Sequence, residues 1–279
     1  MSVFIVAEAG SCHGGSPLHA LRLVEVAKEA GADCVKFQFY SSPERLAERR
    51  RMGADAVETY RRYQLPAAWL PTLADYAQRQ GLEFMCTAFL PEDIAVVAPF
   101  VSRFKVASLE CQDAAFIERH LEYGKPVIVS TGCTDQAALG RLHAQRAAAP
   151  AGQISLLHCI AAYPAPPEDL NLAVIAQEHL DGFSDHSRHV FTGAFAVMAG
   201  GGRTRILEVH FRLPENGTEP GNPDFPHSLD PWQLGEYVRF ARHAETALGD
   251  GVKRPMPSEL PLLGHVVGGS LEPMTSSNP

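Results

Sequence analysis

The sequence predicts an α/β fold: a TIM (β/α)8 barrel forming a single domain, with a short irregular C-terminal tail. Three observations carry that expectation. Strand-like and helix-like segments alternate along most of the chain, with eight strand candidates, the number that closes a parallel barrel with a helix after each strand. A length of 279 residues suits one such barrel. In two of the strands apolar and polar residues alternate, so that one face packs on helices and the other points inward. The barrel is expected over residues 1–252 and the tail over 253–279, where Pro, Gly and Ser replace any clear periodicity.

The first strand is read at Val3–Ala9. Ser16 can N-cap the helix after it, Pro17 suits its first turn, and Ala20, Leu23, Val24 and Ala27 form one apolar face. Arg22, Glu25 and Glu29 lie opposite, and Gly31 ends the helix. The second strand, Cys34–Tyr40, sends Val35, Phe37 and Phe39 toward the helices and Lys36 and Gln38 inward. Ser41–Leu65 is too long for a simple loop; with Arg49-Arg50-Arg51 and Arg61-Arg62 it reads as a solvated helical excursion more readily than as a phosphate site. Leu82–Ala88, Arg103–Ser108, Pro126–Gly132 and Ile154–Ile160 supply strands three to six. Tyr123-Gly124 marks the same helix-to-strand turn as Ala30-Gly31. Gly182–His186 and Arg205–Phe211 are strands seven and eight, the last with Leu207, Val209 and Phe211 outward and Glu208 and His210 inward. Glu215–Ser228, rich in Gly, Pro and Asn, is expected to fold over the barrel mouth as a lid.

Composition narrows the function classes. A net charge of −8 leaves no basic face for nucleic acid, yet does not exclude an anionic substrate held by a few local lysines. The six cysteines are scattered without a C-x-x-C pair, which reads as reduced thiols. The chain enters a strand at once, with no leader-like segment and no apolar run long enough for a bilayer, so a soluble cytoplasmic protein is expected. In that compartment the Asn216-Gly217-Thr218 sequon is coincidental.

Polar residues recur where each strand ends, at the barrel face on which such folds build their sites. They are Glu8; Lys36 and Gln38; Thr87; Lys105, Ser108 and Glu110; Ser130 and Thr131; Tyr163; Ser184 and His186; and His210. Ammonium groups supply point charge and hydroxyls direction, so the Lys, Ser and Thr set suits phosphate and carboxylate. His186 and His210 end consecutive strands and can meet over one divalent cation. Taken singly each residue has a plainer role: Lys36 as a structural partner of Glu8, Ser130-Thr131-Gly132 as turn chemistry, His158 as a satisfied core histidine. As a set on one rim, they point to chemistry.

At this point the chain resembles the sialic acid synthases and their relatives, which make nine-carbon 2-keto acids. The phrases that carry the resemblance are Val6-Ala7-Glu8-Ala9-Gly10 through His13-Gly14-Gly15, Ala30-Gly31-Ala32-Asp33-Cys34-Val35-Lys36-Phe37-Gln38 and Phe104-Lys105-Val106-Ala107-Ser108. Gly124-Lys125-Pro126 through Ser130-Thr131-Gly132, Leu156-Leu157-His158-Cys159 with Tyr163-Pro164-Ala165-Pro166, Ser184-Asp185-His186-Ser187 and Glu208-Val209-His210-Phe211 follow in family order. The resemblance implies a barrel that condenses phosphoenolpyruvate with an open-chain aldose, using a divalent metal cation, Mn²⁺ ahead of Mg²⁺ or Co²⁺. It implies His186 and His210 as metal ligands, and Thr87, Lys105, Ser108, Ser130, Tyr163 and Ser184 as the phosphoenolpyruvate pocket, with Lys36 close by. Glu8, Gln38 and Asp224 match sugar-contacting positions, and Glu110 the family's proposed acid/base. The catalytic set expected on this basis is Glu110, Lys36 and Tyr163.

The chain departs from the family pattern at Cys12 and Ala161, where Asn is usual, and at Val209, where a basic residue is usual. It is expected to lack the C-terminal antifreeze-like domain, and therefore to accept an aldose that need not be N-acetylated. The expected partners are phosphoenolpyruvate, an aldose and a second copy of the chain as a homodimer, with no nucleic acid and no membrane. Two other readings stand beside this one. A barrel metal-dependent hydrolase also uses rim histidines, and a non-catalytic phosphoenolpyruvate-binding homologue would keep the barrel without turnover.

Overall fold

A computed structural model describes residues 2–214, 217 and 221–267. Eight parallel strands form a nearly closed barrel: β1 (Phe4–Gly10), β2 (Cys34–Phe39), β3 (Glu83–Ala88), β4 (Phe104–Val106), β5 (Val127–Ser130), β6 (Ile154–Cys159), β7 (Gly182–Asp185) and β8 (Ile206–His210). The hydrogen-bonded order is β3-β2-β1-β8-β7-β6-β5-β4, so each strand lies beside its sequence neighbour and β8 returns to β1. Each expected strand is present; most are trimmed at an end, while β1 starts one residue later than expected and runs one further, to Gly10. Arg103–Ser108 shortens to Phe104–Val106 because the chain turns at Ala107, whose carbonyl accepts from the Glu110 amide. The Pro126–Gly132 strand starts at Val127, since proline has no N–H for the ladder.

The helices are α1 (Pro17–Glu29), α2 (Pro43–Arg49), α3 (Ala54–Arg62), α4 (Leu70–Arg79), α5 (Asp93–Val97), α6 (Ala114–Leu121), α7 (Gln136–Ala148), α8 (Val174–Gln177), α9 (Thr192–Ala199) and α10 (Pro231–Leu248). The first forms as its sequence dictates: Ser16 Oγ accepts from the His19 amide, and Ala20, Leu23, Val24 and Ala27 are buried. Outside, Arg22 bridges Glu25 and Glu29. Asp230 and Gln233 cap α10 reciprocally around Pro231. Gly193 in α9 lets the buried Tyr237 ring of α10 lie where a Cβ would otherwise stand, 2.5 Å from its Cζ.

The barrel interior is layered. Val6, Cys34, Met85, Ile128, Leu157 and Ile206 form an apolar floor. Outward-facing Val35, Phe37, Phe39, Leu207, Val209 and Phe211 belong to the larger core beneath the helices. Lys36, Glu208 and His210 point inward above the floor and are buried. The β3–β4 seam is held at its lower end by side chains: the Arg103 guanidinium donates to both Glu83 oxygens, at 2.6 and 3.0 Å.

All six cysteines are free, five of them buried and Cys133 exposed. No helix among the described residues is long and apolar enough to cross a membrane. Within the expected tail, Pro257–His265 forms a 3-10 segment with no buried side chain. Residues 268–279, and Asn216 and Thr218 of the sequon, lie outside the described residues.

The β7–β8 contact is close enough to test. A Cβ at Gly182 would overlap the Ile206 carbonyl oxygen, whereas one at Gly140, inside α7, meets nothing. Gly182→Ala should lose at least about 2 kcal/mol of stability or fail to fold. Gly140→Ala should gain about 0.5–1 kcal/mol. Urea midpoints of the two variants check both signs.

Candidate active site

The C-terminal ends of the strands enclose a cavity of about 290 Å³. Its floor is an ion quartet drawn from four strands. Glu8 of β1 stands in register with Lys36 of β2 and with His210 of β8. Lys36 Nζ lies 2.7 Å from Glu8 and 3.7 Å from Glu208, while Lys105 Nζ lies 3.7 Å from the other Glu208 oxygen. All four groups are buried. Gln38 donates to Glu8 Oε1 at 2.6 Å, Lys36 donates to Thr87 Oγ1 at 3.1 Å, and Ser184 donates to Glu208 at 3.2 Å.

Burial and mutual charge set the protonation of this quartet. Burial pushes the Glu8 carboxyl up to about 7, a rise that Lys36 only partly offsets. Burial pushes Glu208 up as well, but Lys105 and Lys36 outweigh it and hold that carboxylate below its ordinary range. Burial likewise pulls Lys36 down, but Glu208 and Glu8 outweigh it, so Lys36 stays firmly charged. Lys105, with weaker compensation from Glu208, is lowered by burial. With Glu8 part-protonated near neutral pH, the quartet is short of negative charge, a condition that an incoming anion relieves.

Hydroxyls ring the same cavity. Ser130 Oγ is buried with no hydrogen-bond partner among the described residues, so its bonding capacity faces the cavity unspent. Ser108 Oγ and Tyr163 Oη lie 3.3 Å apart, and burial raises the tyrosine to about 12. Thr131 is spent elsewhere, donating to the Leu157 carbonyl. That is the turn role.

The excursion between β2 and β3 differs from the expected solvated segment. Arg61 is exposed and pairs with Glu44 and Glu58, as expected of such a face. Arg50 instead turns inward, stacks over Phe89 at 4.5 Å and forms a two-pronged bond to Glu110 at 2.8 and 3.2 Å. Arg50, with Tyr40 and Tyr60, lines the cavity; Glu110 does not, and sits behind the guanidinium. The reason is leverage: Leu46 and Ala47 of α2 are buried, which seats the helix and aims the next turn at the barrel.

The histidines gather on the opposite wall. His186 Nδ1 lies 2.7 Å from the Ile160 carbonyl, which fixes its ring, and burial holds it down at about 4. His210 lies well below its ordinary range, again through burial. Their ring centroids are 5.3 Å apart, and the Tyr163 ring lies 4.3 Å from that of His186. Neutral imidazoles with an unpartnered buried nitrogen, here His210 Nδ1, are the donors a divalent cation takes, so these residues fit such an ion. Asp224 reaches the same wall from the loop after β8. Its Oδ2 accepts from the amide and hydroxyl of Ser11, each at 2.7 Å. Gly10, with φ +50°, makes this possible, since a Cβ there would overlap that oxygen.

Of the residues singled out from sequence, Glu8, Lys36, Gln38, Thr87, Lys105, Ser108, Ser130, Tyr163, Ser184, His210 and Asp224 all line one cavity. His186 stands just behind it, and Glu110 behind Arg50. Cys12 packs under the Asp224 loop, its Sγ 3.9 Å from Asn222 Oδ1. Two cavity residues were missed, and a third, Glu208, was read as inward-facing beside His210 but given no role in the site. Arg50 was hidden in a run of three arginines, and His227 sits in an irregular 3-10 turn (Phe225–His227) where no periodicity speaks. Of the expected lid, residues 217 and 221–228 are described, and Pro223, Asp224 and His227 line the cavity.

Residues 23–253 match the NeuB family. The spore coat polysaccharide biosynthesis protein SpsE of Bacillus subtilis is 31% identical over 92% of this chain and 72% of its own length. The N,N'-diacetyllegionaminic acid synthase of Legionella pneumophila is 31% identical over 94% of this chain and 78% of its own. Among solved structures, the N-acetylneuraminic acid (sialic acid) synthetase of Leptospira borgpetersenii, in complex with citrate, superposes with a TM-score of 0.84 at 27% identity, covering 95% of this chain and 91% of that one.

The buried histidines set a pH dependence of stability. His13, His120 and His186 are held down at about 4 by burial, against an ordinary value of 6.5, and burial also holds His210 well below that value. Below pH 6.5 the unfolded chain therefore binds protons that the folded chain refuses, and stability is lost as pH falls toward 4. Glu8 and Asp185, raised by burial to about 7 and about 6, act in the opposite direction. Four histidines outweigh two carboxyls, so the metal-free protein should melt several degrees lower at pH 5 than at pH 7. A flat or rising melting temperature would show that burial does not control these imidazoles.

Proposed function

Because the chain belongs to the NeuB family, we propose that it condenses phosphoenolpyruvate with an open-chain aldose, releasing phosphate and a 2-keto acid sugar. One observation carries the reading: two buried lysines, a ring of hydroxyls and a histidine wall face a single cavity. Lys36 and Lys105 match the carboxylate and phosphate of the donor, and Thr87, Ser108, Ser130 and Ser184 add directional bonds. Relatives that make legionaminic acid and sialic acid, by their names, support the same class of product.

His186 and His210 would hold a divalent cation, Mn²⁺ in the first instance, and that ion supplies Lewis-acid polarisation of a carbonyl oxygen. Glu8, Gln38 and Asp224 bond acceptor hydroxyls and set the aldehyde against the C3 of phosphoenolpyruvate. The new bond joins C3 to the aldehyde carbon; water adds at C2, and the tetrahedral carbon expels phosphate. Glu110, the expected acid/base, sits behind the cavity wall and acts on that water through Arg50, whose guanidinium it holds by two bonds at the cavity. Tyr163, close to both Ser108 and His186, keeps the donor hydroxyl and the histidine wall in one frame.

Incubation with phosphoenolpyruvate, Mn²⁺ and a panel of aldoses should release phosphate together with a 2-keto acid of matching mass. Phosphate without a carbon–carbon product, or tight donor binding with no turnover on any aldose, overturns the reading. Lys105→Met, which keeps the side-chain length and removes the charge, should lower kcat/KM by at least about 100-fold.

A further inference from the structure

We propose that His227 is a protein ligand of the divalent cation beside His210 and Asp224, the three forming a seat with His186 on its flank. The inference rests on the reading that this wall holds a cation, and concerns which side chains hold it.

His227 follows Pro226 in the turn after β8 and is 2% exposed. Neither of its ring nitrogens has a hydrogen-bond partner among the described residues, and His210 Nδ1 is in the same condition. A buried ring nitrogen with no hydrogen bond loses its contacts with water and gains nothing in return, unless another partner takes it. The two rings touch, with centroids 4.4 Å apart, and each has an unbonded nitrogen to offer to one shared partner.

The spacing fits a metal ion. His227 Nε2 lies 3.5 Å and His210 Nδ1 3.9 Å from the same oxygen, Asp224 Oδ1. Both separations exceed a normal hydrogen bond. Neighbouring ligands on one ion with bonds of about 2.1 Å lie roughly 3.0–3.6 Å apart, so the His227–Asp224 spacing fits as it stands and the His210–Asp224 spacing closes onto an ion by a few tenths of an ångström. One ligand atom from each of His210, Asp224 and His227 lies within 4.8 Å of the others. His186 is not in that set; its ring lies 6.0 Å from that of His227, on the flank.

The carboxylate is also oriented for this role. Asp224 Oδ2 is taken by two bonds from Ser11, and the Asp224 amide donates to Asn222 Oδ1 at 2.9 Å. The remaining oxygen is thereby turned to the two imidazoles, the outer-shell arrangement that metal sites use. A second imidazole beside a carboxylate raises affinity for Mn²⁺ and Co²⁺ relative to Mg²⁺, which prefers all-oxygen surroundings.

The test uses the full chain, stripped with a chelator and titrated with Co²⁺, read by calorimetry and by the visible d–d absorption. His227→Ala should weaken Co²⁺ binding at least about tenfold and change the band shape, because a ring nitrogen is lost from the ion. His227→Gln, which keeps a polar group in the turn, should do the same and serves if the alanine variant does not fold. Unchanged affinity and spectrum in a folded His227 variant overturns the inference and leaves His227 as a neighbour of Asp224. His210→Ala separates the two levels. Loss of binding there but not at His227 sinks this proposal alone, and no loss at either sinks the cation reading with it.

Discussion

The structure depends on four buried charges meeting above an apolar floor. Glu8, Lys36, Lys105 and Glu208 come from β1, β2, β4 and β8, and none has a favourable place in a protein interior without the others. Breaking a buried pair costs about 3–5 kcal/mol, so the strands that carry these groups are held to one register at this level. The layer beneath, Val6, Cys34, Met85, Ile128, Leu157 and Ile206, keeps water out from below. Solvent and ligand therefore reach the quartet only from the mouth, where the hydroxyls are.

The same constraint explains how loops are recruited. The loop after β8 is drawn to the mouth by Ser11 and Asn222, and the absence of a Cβ at Gly10 leaves room for the Asp224 carboxylate. The excursion after β2 is drawn in by the apolar side of α2, and Arg50 then pairs with the buried carboxylate of Glu110. In both cases a short apolar or small residue decides the path and a charged residue makes use of it. The cavity that results is polar below and aromatic above, with Tyr40, Tyr60 and Tyr163 around its rim.

How much of this was legible in the sequence differs by element. The alternation in Val35–Phe39 and Leu207–Phe211 placed Lys36, Gln38, Glu208 and His210 inside before any coordinates, because a strand leaves its side chains only two directions. The first helix could be read to its cap. Arg50 and His227 could not be read, since each belongs to an irregular or short segment whose direction is set by what it packs on. His186 shows the intermediate case. Its strand end was plain, but its Nδ1 partner, the Ile160 carbonyl, is a backbone group from another strand.

The sequence by itself determined the barrel, its eight strands, the inward lysines and the two strand-end histidines, because period and spacing act locally and a parallel barrel has one crowded face for such residues. Tertiary structure alone decided that Glu110 lies behind Arg50, that Asp224 presents one oxygen to His210 and His227, and that His186 stands to the side. Those outcomes follow from contacts between residues 60 to more than 200 positions apart, such as Arg50 with Glu110 and Ser11 with Asp224. Pairings of that range are chosen by packing and burial, and no local pattern along the chain encodes them.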